Sequence, residues 1–155
     1  MSYRPGKRRG LRIALIAPPW LKIPPDGYGG IENVLASLIP SLIELGVEVE
    51  LFTTNKPSTR SFKSYHIYKT EQYSHIHKPY YHSLPILIAH IQYAINIIKE
   101  DNHFDLIHDH NPYIGPAIFA NAGNDIPPVL HTIHGPPFTP NMAAFERELL
   151  GSFAG

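Results

Sequence analysis

Apolar and polar positions along this chain follow two periods in turn, and the changes between them predict its elements. "LRIALIA" (Leu11–Ala17) is an unbroken apolar run, the mark of a strand buried on both faces. From Ile31 the apolar residues fall at Ile31, Val34, Leu35, Leu38, Ile39, Leu42 and Leu45, which is one helical face. Pro40 inside that face predicts a kink, and Gly46 stands where a carboxy-terminal cap belongs. "VEVELFTT" (Val47–Thr54) alternates at first and predicts the next strand. Strand, helix and strand of these lengths make a βαβ unit and therefore a parallel sheet.

The pattern then loosens. Ser64–Thr70 predicts a third strand, whereas "EQYSHIHKPYYHSLP" carries no period. Ile86–Glu100 is apolar almost all round and predicts a long, well-buried helix. "FDLIHDH" and "PPVLHTIHG" predict two short strands that end in histidines, with room for one short helix in "PYIGPAIFANAG" between them. "NMAAFERELLGSFAG" begins a further helix. The fold class expected is α/β: a Rossmann-like, doubly wound parallel sheet of at least five strands with Leu11–Ala17 central. Residues 1–10 form a basic tail and residues 11–155 one domain, a size that buries a sizeable core.

Composition narrows the function classes. Lys plus Arg and Asp plus Glu balance at 13 each, so net charge gives no reason to expect a nucleic-acid partner. The chain has no cysteine, which excludes disulfides, a zinc–cysteine site and a thiol nucleophile. No stretch approaches the ~18 apolar residues of a membrane-spanning helix, and the expected location is cytoplasmic. The 16 prolines cluster after apolar runs and read as strand-exit loops.

Chemistry is expected at those exits, where open α/β sheets bind their ligands. The paired Gly29 and Gly30 open a helix, and backbone N–H groups at such an end suit a phosphate or a carboxylate. The spacing is not that of the dinucleotide fingerprint, since eleven residues (Pro18–Tyr28) separate Ala17 from Gly29. His108 and His110 share one face of an extended segment, with Asp109 on the other. His131 lies inside its run and reads as a hydrogen-bonded core histidine, while His134 at the strand exit reads as functional. Convergence of all four histidines on a metal is not expected, because alternate residues leave the sheet on opposite sides. His75 and His77 read as exposed.

These motifs occur in a familiar order. "LRIALIAPP", "GYGGIENVLASLIPSLIELGVEVELFT", "FDLIHDHNP" and "PPVLHTIHGPPF" together resemble the amino-terminal domain of the retaining family 4 glycosyltransferases, the glycogen synthase-like group with the two-domain GT-B fold. The resemblance implies sugar transfer from a nucleotide-sugar donor with retention. It implies His134 as the catalytic residue beside the transferred sugar, and Gly29, Gly30, Glu32, His110 and Gly135 as donor- or acceptor-binding residues. Asp105, which opens the histidine motif, is structural in this reading.

It implies no metal and no cofactor. The implied partners are a nucleotide sugar, an acceptor (a sugar, a lipid or a small molecule) and a carboxy-terminal donor-binding domain. Peripheral membrane contact of the full-length enzyme and weak self-association at the open cleft are further expectations. The donor-binding domain is expected to be absent from this chain, leaving the 155 residues alone inactive. Two other functions fit the residues: a non-catalytic carbohydrate- or nucleotide-binding module, and a histidine-dependent metallohydrolase.

Overall fold

The computed structural model describes residues 10–58, 62, 64–68 and 80–135, leaving out the side chains of residues 80 and 81. Five parallel strands make one sheet: β1 (Arg12–Ile16), β2 (Glu48–Thr53), β3 (Ser64–Ile67), β4 (Leu106–Asp109) and β5 (Val129–His131), in the order β3-β2-β1-β4-β5. β1 is central, as its unbroken apolar run requires. Its alternate residues feed two cores. Ala14 and Ile16 pack on one face with Phe52 and Ile107, and Leu15 and Ala17 on the other with Val49 and Leu51. The first core is closed by helices α2 (Tyr80–Glu100) and α3 (Ile114–Ala120), the second by α1 (Gly30–Glu44).

Three expectations about the helices change. The buried stripe of α1, a helix that contains Pro40, is narrower than its apolar pattern. Leu35 and Ile39 are buried, whereas Val34 and Leu45 are exposed and the acidic Glu32 is buried. α2 begins six residues before Ile86 and runs through Pro85. It is also two-sided. Leu87, Ile91, Ala94, Ile95 and Ile98 face the core, and Ile88, Gln92 and Asn96 face out.

Gly46 does cap α1. The Val47 N–H donates to the Leu42 carbonyl and the Gly46 N–H to the Ile43 carbonyl, both at 3.0 Å, with Gly46 at φ +83°. That pair of bonds is the Schellman arrangement, which needs a left-handed residue at this position. It returns the chain directly into β2. Residues 1–9 of the expected tail, His75, His77 and the further helix expected in "NMAAFERELLGSFAG" lie outside the described residues.

Candidate functional site

The sheet order reverses between β1 and β4, so the β1 and β4 exits diverge and leave a crevice between them. A cavity of about 470 Å³ fills that crevice. It lies among the β1–α1 loop, the start of α1, and the exits of β4 and β5. Gly30, Glu32, His110, His134 and Gly135 all line it, and so do Trp20, Tyr28, Asn111 and Tyr113.

The two glycines at the head of α1 do different work. A Cβ on Gly29 would lie 2.7 and 2.8 Å from Pro25 ring atoms and 3.2 Å from a Glu32 carboxyl oxygen. Gly29 is buried and does not line the cavity, so its close approach is to protein. A Cβ on Gly30 would have nothing within 4 Å. It is Gly30 that keeps space open above the start of the helix. Gly29 caps α1 without a side-chain bond, and the acidic Glu32 stands in the first turn with its carboxyl folded back toward it.

Alternation along β4 sorts the histidines. Ile107 and Asp109 point into the α2–α3 side, so His108 and His110 point to the α1 side. His110 is 1% exposed, and its Nδ1 lies 2.8 Å from Nε2 of His134. The rings of His108 and His110 are 4.1 Å apart, and His108 Nε2 meets the Thr132 hydroxyl at 2.8 Å. Burial pushes His110 down to about 3, helped by the neighbouring His108 and His134 rings. Burial also holds His108 and His134 below the ordinary histidine range. The His110–His134 contact is therefore a hydrogen bond between two neutral rings. When His110 donates, His134 keeps its proton on Nδ1 and can donate to a ligand. When His134 donates, its Nδ1 is a bare acceptor. Both rings change tautomer together between these two states, and that exchange changes which role the cavity meets.

His131 is on the opposite side, half-buried and hydrogen-bonded. Its Nδ1 donates to Asp109 Oδ2 at 3.1 Å, and β4–β5 register pairs these two residues. Asp109 is fully buried and also accepts from the Asn111 backbone N–H at 3.2 Å and the Asn111 side-chain amide at 2.6 Å. Its carboxylate sits under the first turn of α3, against Gly115. Asp109 thus ties β4, β5 and α3 together directly below His110. Asp105 is structural, accepting from the Arg12 backbone N–H at 2.8 Å. Among the described residues no group of three or more His, Cys, Asp or Glu is arranged to hold a metal ion.

Periodicity located the strand exits and with them His110 and His134. It missed Asp109 as the organiser, because only the β4–β5 register reveals its partners. It also missed Trp20, Tyr28 and Tyr113, single aromatics in loops with no period around them. The available signal was that each of the three adjoins a glycine or a proline.

Residues 28–154 match the family model described as Glycosyltransferase Family 4, and no curated protein matches the chain.

Proposed function

The chain belongs to glycosyltransferase family 4, and from that premise we propose that it is the acceptor-side domain of an enzyme transferring a sugar from a nucleotide-sugar donor with retention. One observation carries the reading. The cavity at the sheet's switch point brings the two motif histidines, His110 and His134, into hydrogen-bond contact beside the head of α1. A cleft with a few fixed polar groups and otherwise apolar walls is the form small-molecule sites take.

In this reading His134 contacts the transferred sugar or its acceptor, and His110 orients the His134 ring from below. Gly30, Glu32 and Gly135 shape the walls around the ligand. Gly29 acts one step removed, by packing the loop on Pro25. No cofactor is called on, and a donor-binding domain supplies the grip on the nucleotide.

The test is turnover of the enzyme assayed with its donor-binding domain. A contact made more strongly in the transition state than in the ground state changes kcat. His134→Ala then lowers kcat by ~10-fold or more, about 1.4 kcal/mol. His131→Ala lowers stability instead, because it takes a donor from the buried Asp109. Normal turnover in His134→Ala, with turnover lost in a folded His131→Ala, would overturn the assignment.

A further inference from the structure

The tip of the β1–α1 loop carries a reactive pair. Asp26-Gly27 is the one Asp-Gly dipeptide of the chain, which has no Asn-Gly. Both residues are exposed, and 87% of the Asp26 side-chain surface is open to solvent. A Cβ on Gly27 would have nothing within 4 Å. No side chain therefore screens the Gly27 nitrogen, and among the described residues its N–H has no hydrogen-bond partner. The Asp26 carboxylate is paired with Lys22, an exposed ion pair of the kind that opens readily.

The turn that holds this pair is closed. Pro25 and Gly29 flank Asp26, Gly27 and Tyr28, and a Cβ on Gly29 would lie 2.7 Å from the Pro25 ring, so the two ends of the turn touch. The tip is exposed, whereas Gly29 is buried and its carbonyl accepts from the Asn33 N–H at 3.0 Å, which starts the hydrogen-bond ladder of α1. Tyr28 and Gly30, on either side of Gly29, line the cavity. The length of backbone between Pro25 and Gly29 thus sets where the head of α1 stands.

We propose that Asp26 is a site of spontaneous isomerisation to isoaspartate, and that the modified loop displaces Tyr28 and the head of α1 at the cavity. The Gly27 nitrogen attacks Cγ of the protonated Asp26 carboxyl. The N–Cγ bond forms, and the amide proton leaves with the carboxyl hydroxyl as water, which gives a five-membered succinimide. Water then adds to either of its two carbonyls. Breaking the bond from nitrogen to Cγ restores aspartate. Breaking the bond from nitrogen to the α-carbonyl carbon leaves the main chain running through Cβ and Cγ. Water is lost and regained, no oxidant or reductant takes part, and the residue keeps one carboxyl group. The β-linkage adds one C–C bond, about 1.5 Å, to a turn whose ends are already in contact. A close-packed contact such as Pro25 on Gly29 does not absorb that length.

Trp20 is the only tryptophan in the chain and lines the same cavity, so its emission reports the displacement. The chain is incubated at neutral pH for weeks, with Asp26→Glu and Gly27→Ala beside it. Neither substitution touches a residue of the cavity wall. Two measurements follow isoaspartate: methyl transfer from S-adenosylmethionine by a protein-isoaspartyl methyltransferase, and splitting of the tryptic peptide that begins at Ile23 into two peaks of equal mass. The parent is expected to accumulate isoaspartate and to change its Trp20 emission in step with it. Gly27→Ala slows both by ~10-fold or more, which is about 1.4 kcal/mol of barrier. Asp26→Glu shows neither, since its longer side chain cannot close the five-membered ring.

A parent peptide that stays a single peak overturns the assignment of the site, and so does methyl acceptance that is equal in the parent and Asp26→Glu. Isoaspartate at residue 26 with unchanged Trp20 emission overturns its link to the cavity. Under the transferase reading above, ageing also lowers sugar transfer by the parent enzyme and spares Asp26→Glu. An enzyme that transfers no sugar when fresh ends that reading alone, because the peptide and emission measurements need no activity.

Discussion

Replacing Gly115 with alanine perturbs the network beneath the site at its tightest point. The added Cβ would lie 2.2 Å from Asp109 Oδ2, 3.3 Å from Asp109 Cγ and 3.6 Å from Asn111 Cβ. Roughly 1 Å of movement has to be found in a close-packed region. Overpacking of that kind costs about 1–3 kcal/mol. Asp109 retreats only by stretching its bonds from Asn111 and His131, each a hydrogen bond to a charged group worth ~1.5–3 kcal/mol. Alanine's better helix propensity returns at most ~1 kcal/mol. The net expectation is a loss of about 2–4 kcal/mol, or a fall in Tm of about 5–15 °C for a chain of this size. Urea unfolding followed by circular dichroism measures it. Gly30→Ala is the internal control. Its Cβ meets nothing within 4 Å, so stability should stay level or rise by up to ~1 kcal/mol. A Gly115→Ala protein as stable as the parent, or a Gly30→Ala protein that loses more, would refute the packing argument.

Acid should weaken the fold through its buried histidines. Burial pushes His90 down to about 4, while its Nε2 donates to the Ala17 carbonyl at 2.7 Å. The unfolded chain binds that proton near the ordinary value of ~6.5. Stability is then complete above that pH and declines as pH falls, by about 3 kcal/mol near pH 4 from His90 alone. A urea midpoint that stays flat between neutral pH and about pH 4.5 would contradict this, and His90→Gln should flatten the slope. Gly46→Ala should cost ~1 kcal/mol, because φ at this position is +83°; an unchanged urea midpoint would rule that out. Chelation with EDTA should leave sugar transfer by the enzyme unchanged, and activity lost and then restored by a divalent ion would contradict the metal-free reading.

The sequence by itself determined the architecture. Leu11–Ala17 could only be a doubly buried strand, and the face beginning at Ile31 followed by Gly46 could only be a helix returning to a neighbouring strand. Both signals are local: period and capping depend on residues within a turn or two of one another. Because the strand exits follow from the periods, the places of His110 and His134 were legible as well. The ends of α2 were less so, since Pro85 and the tyrosines before it break the pattern while packing overrides propensity.

Only the tertiary structure decided who meets whom. His131 and Asp109 are 22 residues apart and His134 and His110 are 24 apart, and their pairing depends on the register between β4 and β5. No local period encodes that register. The same holds for the glycine pair at the head of α1. In sequence the two are alike, but the fold presses Gly29 against Pro25 and leaves Gly30 facing open space. Long-range contacts assign those roles, because which atoms crowd a backbone is a property of the packed chain and not of its neighbours in sequence.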